Sequence, residues 1–180
     1  MRLRSLARKP SVRRGSQSSR PLLIDTTYLL PLFGVSITLP QFRRVFPHVA
    51  ERHELYYNPA SLIEAKWIIL GLARNHPSKM DALLAKYIQG LLLLGENGLF
   101  KPLPLTGPEV EEESDRLLKE GLRDYFDRLI YATAAVHGVM LLTEDRELHQ
   151  QWEKDQARGT RRPPLIMDWK VLLNSLRPPR

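Results

Sequence analysis

Two short apolar runs, each followed closely by an aspartate, constrain this chain most. Leu22-Leu23-Ile24 ends at Asp25, and Met140-Leu141-Leu142 leads through Thr143 and Glu144 to Asp145. Neither run alternates polar with apolar residues. Strands of that kind are buried on both faces, as in a parallel sheet covered by helices. An acid at the end of such a strand is unusual, because carboxylates are rarely buried without a partner or a metal.

The remaining sequence alternates in the same way. Short strands are predicted at 22–25, 55–57, 99–105, 139–143 and 165–167, the third weakened by Pro102 and Pro104. Helices are predicted from Thr26 or Thr27, either of which can cap, to about 33, then at 41–53, 61–75, 78–94, 109–120, 124–137, 145–154 and 169–176. Pro108 suits a first helical position, and Gly121 and Gly138 suit stops. Strands alternating with helices point to an α/β fold, a three-layer α/β/α sandwich with a mostly parallel central sheet.

With 180 residues, 43% hydrophobic and 26% charged, the chain is expected to form one globular domain. No cysteine is present, which excludes disulfides and thiolate metal sites and fits a reducing cytoplasm. The five histidines show no metal-binding spacing. The net charge of +7 lies in residues 1–20, which hold seven basic and no acidic side chains, while the remainder carries 20 of each. Residues 1–20 are therefore expected to be a disordered basic tail, and 21–180 a single domain. Three readings of the tail stand side by side: a solvated end, an arm for phosphate backbones, or a targeting peptide. Residues 22–39 are apolar enough to suggest a signal or membrane segment, but Asp25, Pro31 and Pro40 interrupt or bound them. A charge near the middle of a span costs about 2.5–3.5 kcal/mol, so no membrane span is expected.

Four acids stand at element ends: Asp25 and Asp145 past strands, Glu64 and Asp127 in the first turns of apolar helices. In an open α/β sheet, ligands bind at the carboxyl ends of the strands, and all four acids can reach that edge. Two carboxylates about 5 Å apart repel by roughly 3 kcal/mol at an effective dielectric of about 20, so a shared site needs a cation. Oxygen-only ligands suit Mg²⁺ or Mn²⁺. Such ions activate water and stabilise the leaving oxygen of a phosphodiester, which is nuclease chemistry.

Each acid also has a plainer reading. Ser61-x-x-Glu64 matches a helix capping box, and Asp124 and Asp127 suit the positive end of a helix dipole. Asp145 can simply cap the helix it begins. Asp25 has the least structural use at its position.

The motifs around these acids resemble the PIN-domain family, most closely the single-domain VapC-like toxin ribonucleases. They are Leu22-Leu23-Ile24-Asp25-Thr26-Thr27-Tyr28-Leu29-Leu30, Ser61-Leu62-Ile63-Glu64-Ala65, and Asp124-Tyr125-Phe126-Asp127-Arg128-Leu129-Ile130-Tyr131-Ala132-Thr133-Ala134, running on into Leu141-Leu142-Thr143-Glu144-Asp145. The resemblance spans about residues 21–150. It implies a metal-dependent endoribonuclease in which Asp25, Glu64, Asp127 and Asp145 hold one or two Mg²⁺ or Mn²⁺ ions. It also implies that Thr143 orients a carboxylate or water, with Asp124 as an outer contact. Expected partners are RNA, a small antitoxin and a second copy of the chain. Glu144 departs from the basic or polar residue of many relatives and makes the rim more acidic. The acidic stretch 109–115, the longer spacing between Glu64 and Asp127, and the basic tail are further departures.

A housekeeping RNA-processing nuclease, a non-catalytic RNA-binding scaffold and a small-molecule phosphohydrolase remain rival readings. Trp67, at helical spacing with Ile63 and Leu70, is expected in the core. Of the adjacent Tyr56 and Tyr57, one is expected inside and one outside. Arg43, Arg44 and Arg52 form a basic face, solvated or contacting an RNA backbone.

Overall fold

The computed structural model of the protein describes residues 20–96, 98–159 and 163–176. Apart from Arg20, the basic tail lies outside these residues. The elements in chain order are β1 (Arg20–Ile24), α1 (Thr26–Leu29), α2 (Phe42–Arg52), β2 (His53–Tyr57), α3 (Ala60–Asn75), α4 (Met80–Glu96), β3 (Phe100–Pro102), α5 (Pro108–Lys119), α6 (Tyr125–His137), β4 (Met140–Leu142), α7 (Arg146–Arg158), β5 (Ile166–Met167) and α8 (Trp169–Ser175).

All strand pairs are parallel, in the order β3-β2-β1-β4-β5. The apolar run of β1 accordingly lies at the centre, paired with β2 on one side and β4 on the other. The chain winds outward from β1 in both directions, so the β1/β4 boundary is where strand order reverses. Asp25 leaves the sheet there, its backbone N–H bonded to the Leu142 carbonyl at 3.1 Å.

The pleat divides the core into two layers. Leu22, Ile24 and Leu142 join Tyr28, Phe33, Ile69 and Trp169 on one face. Leu23 and Leu141 join Leu117, Ile130, Tyr131 and Leu148 on the other. The three-layer sandwich expected from the sequence is therefore present, with an entirely parallel sheet. Tyr57 packs against the first layer and Tyr56 against the second, both half-buried, which corrects the expectation of one inside and one outside.

Several local devices position these elements. Gly138, at φ 63°, ends α6 in the left-handed conformation that glycine adopts without strain. Gly90 lets α4 lie against the turn at Leu32 and Phe33, since a Cβ there would stand 2.7 Å from the Leu32 carbonyl oxygen. Arg116 of α5 donates to buried Asp155 of α7 at 2.9 and 3.1 Å, and the Tyr131 hydroxyl of α6 reaches the same carboxylate at 2.7 Å. That network ties the three helices of the second layer together.

Three further expectations need correction. The strand at 99–105 shrinks to β3, with Pro102 at its end and Pro104 beyond it. Neither Thr26 nor Thr27 caps α1; the Asp25 side chain does, accepting from the Thr26 amide. Trp67 is not in the core but 63% exposed, with Ile63 and Leu70 exposed beside it. Among the described residues, no helix is long and apolar enough to cross a membrane.

Candidate active site

The carboxyl edge of β1 and β4 opens into a cleft of about 200 Å³. Among the described residues five carboxylates line it, Asp25, Glu64, Asp127, Glu144 and Asp145, and no basic side chain does. The four acids expected from the sequence thus meet at one place, and Glu144 joins them.

Asp25 is held most firmly. It is 7% exposed. Its Oδ1 accepts from the Thr26 amide at 2.6 Å, and its Oδ2 accepts from the Thr143 hydroxyl at 2.6 Å. Burial pushes its carboxyl up to about 6, with Glu64 and Asp145 adding to the rise and the two hydrogen bonds opposing it.

Glu64 is not a helix cap. The helix begins at Ala60, whose amide donates to Asn58 Oδ1 at 2.7 Å, and the buried Ser61 hydroxyl finds no partner among the described residues. Glu64 instead accepts from the Thr26 hydroxyl at 2.5 Å, so consecutive groups of Thr26 serve two different acids. Burial raises the Glu64 carboxyl, and Asp124 and Asp145 raise it further.

Asp127 differs from the others. Its carboxylate accepts no hydrogen bond from the described residues, and it is half-buried in the first turn of α6. Burial, then Asp145, Asp124, Asp25 and Glu64, push it up to about 8. Asp124 stands outside the cleft as the cap of α6, accepting from the Phe126 and Asp127 amides at 2.8 and 3.2 Å. Its charge acts on the cleft without lining it.

Asp145 is both a helix cap and a wall of the cleft. Its Oδ1 caps α7 through the Glu147 and Leu148 amides at 2.7 and 3.0 Å, yet the residue lines the cleft. The Thr143 oxygen accepts from the Asp145 amide at 3.0 Å, which fixes the turn between them.

Glu144 is anchored from two sides. Its Oε1 accepts from the Tyr28 hydroxyl and from the Trp169 amide, the latter at 2.7 Å. The sequence marked Glu144 only as added charge, because its partners come from α1 and the start of α8. The same bond, with burial as the larger cause, holds the Tyr28 phenol far above its ordinary range.

The donor set is oxygen only, which suits a hard divalent cation. Among the described residues no three acidic or histidine side chains stand close enough to ligate one ion directly. Magnesium is usually held by one or two carboxylates and keeps several waters, so a ring of acids around a small cleft still matches its chemistry. The unpartnered Asp127 carboxylate, raised among four other acids, is the group that such an ion would satisfy.

The profile of the PIN domain family matches residues 22–151. The chain belongs to the PIN domain family. PIN domains are generally nucleases and generally use divalent metals. Similar solved structures include PAE2754 from Pyrobaculum aerophilum, with a TM-score of 0.57 and 21% identity over 88% of this chain and 96% of that one. A chain of VapBC2 from Rickettsia felis, bound to a DNA fragment from its promoter, gives 0.53 and 13% identity over 82% and 98%. No curated protein sequence gives a significant match. At these identities the two structures speak for the fold.

Proposed function

We propose that this PIN domain is a metal-dependent endoribonuclease whose site consists of Asp25, Glu64, Asp127 and Asp145. The observation that carries this reading is the five-carboxylate cleft at the point where strand order reverses, with no basic side chain among the described residues lining it. A Mg²⁺ or Mn²⁺ ion held by these acids would neutralise their charge, acidify a water and stabilise the leaving oxygen.

The chain's residues divide the remaining work. Asp25, fixed by Thr26 and Thr143, and Glu64, oriented by Thr26, are the pre-set ligands. Asp145 offers Oδ2 to the cleft, its Oδ1 being occupied by the α7 cap. Asp127 would complete the set that holds the ion, and in the ionised form that the ion favours it would take the attacking water's proton. As the water oxygen bonds to phosphorus, the bond to the ribose oxygen breaks, and that oxygen leaves as a hydroxyl with a proton taken from solvent.

The biological setting that fits best is the toxin of a type II toxin–antitoxin pair, acting on single-stranded or loop RNA in the cytoplasm and neutralised by a small antitoxin. Likeness in fold to a chain of VapBC2 supports it. A second copy of the chain is the expected partner, and the exposed Ile88, Leu91 and Leu92 of α4 support that. The test is cleavage of a single-stranded RNA with Mn²⁺ or Mg²⁺. Cleavage that chelator abolishes is expected; cleavage indifferent to chelator, or of phosphatase substrates alone, contradicts it.

A further inference from the structure

Trp67 is the only exposed tryptophan of three. Trp169 is 2% exposed and Trp152 is partly buried, whereas Trp67 is 63% exposed. Nothing in the catalytic reading uses it, and its location is specific. It lies one helical turn after Glu64 on α3, so the two are surface neighbours. Its ring meets Phe126 edge-on, with centroids 5.5 Å apart and planes at 79°. Phe126 immediately precedes Asp127 on α6. The indole thus bridges the two helices that bring acids to the cleft, oriented by Phe126 but largely in solvent.

Beyond Trp67, away from the acids, α3 continues into a second depression of about 460 Å³. Trp67, Leu70, Ala73 and Met80 give it apolar walls, and Arg74 supplies a cation. Arg74 makes no ion pair among the described residues. From Glu64 to Arg74 the helix rises roughly 15 Å.

A cleft lined by five carboxylates repels a polyanion, so affinity for a nucleic acid has to come from its surroundings. An exposed indole beside an apolar hollow with a cation is the chemistry that holds an unstacked base and its phosphate. We propose that Trp67 is a substrate-binding residue, the stacking platform for one base of a single-stranded RNA that leaves the acidic cleft along α3 toward Arg74. This rests on the ribonuclease reading and adds to it where, and by what contact, the strand is gripped.

The experiment titrates the full-length chain with a short mixed-sequence single-stranded RNA, with Ca²⁺ in place of Mn²⁺ to slow turnover. Intrinsic fluorescence reports the three tryptophans, with the part of the quenching that Trp67→Phe loses assigned to Trp67, and anisotropy of a labelled RNA reports affinity for Trp67→Ala and Trp67→Phe. Quenching of the wild type by single-stranded but not duplex RNA is expected. Trp67→Ala is expected to bind about 5- to 100-fold more weakly and Trp67→Phe within a few-fold of wild type. RNA bound without quenching, or equally well by Trp67→Ala, overturns the proposal and leaves the nuclease reading standing. Sedimentation showing that Trp67→Ala dissociates a dimer, with RNA affinity per chain unchanged, assigns the surface to a second copy and also overturns it. A wild type that binds no RNA overturns both readings together.

Discussion

Thr143 donates its hydroxyl to Asp25 Oδ2 at 2.6 Å, joining the ends of the two central strands at the edge of the cleft. The same oxygen accepts the Asp145 amide at 3.0 Å, so one side chain orients two of the four acids.

Replacing Thr143 by valine keeps the shape and removes both bonds. Removal of the hydroxyl partner from the buried Asp25 carboxylate is expected to lower stability by about 1–3 kcal/mol. Loss of a group that orients a metal ligand is expected to lower metal affinity or cleavage by about 10- to 100-fold. Chemical denaturation and cleavage rates of Thr143→Val check both. Wild-type cleavage at full stability would show that Thr143 positions nothing.

How far this site could be read from the sequence varies by residue. Asp25, Thr143 and Asp145 were legible because an unbroken apolar run defines a buried strand, and the residues after it must lie at the sheet edge. Asp127 was legible from its place in an apolar helix. Glu64 was ambiguous, since Ser61-x-x-Glu64 has capping-box spacing; only the structure shows that Asn58 binds the Ala60 amide and frees Glu64 for Thr26. Trp67 was misread. Spacing with Ile63 and Leu70 identifies a shared helix face, but periodicity does not say what covers that face. The anchoring of Glu144 was invisible, because Tyr28 is 116 positions away and Trp169 contributes a backbone amide.

The pH dependence follows from Asp25 at about 6 and Asp127 at about 8, both above the 3.8 of an unfolded aspartate. Between about pH 4 and 8 the fold holds more protons at these sites than the unfolded chain does. Their contribution to stability is thus full below about pH 4 and is lost as pH rises through 6 and then 8. Melting temperature without divalent ions is expected to fall from pH 5 to pH 9. The rise produced by Mg²⁺, which favours the ionised carboxylates, is expected to grow over that range. Asp127→Asn should flatten the upper part of both curves. Thermal melts across this range, with Mg²⁺ or with chelator, decide it; a Mg²⁺ effect independent of pH would count against these assignments.

Glu144 separates charge from anchoring. Glu144→Gln keeps an acceptor for the Tyr28 hydroxyl and the Trp169 amide, while Glu144→Ala leaves the phenol of a 1% exposed tyrosine without one. The alanine variant is expected to lose about 1–3 kcal/mol of stability and the glutamine variant clearly less. Urea denaturation of the pair measures this. Equal losses would mean that the charge, and not the hydrogen bonds, holds α8 at the cleft.

Separate acids from the end of β1, from α3 and α6, and from the β4–α7 turn are expected to make one divalent-cation site. Mn²⁺ binding followed by electron paramagnetic resonance tests it without reference to any substrate. Wild type is expected to bind Mn²⁺, and Asp25→Asn and Asp127→Asn are each expected to bind at least about ten-fold more weakly while keeping a cooperative melt. Folded variants that bind Mn²⁺ as the wild type does, or a wild type that binds none, would contradict a shared cation site at these acids.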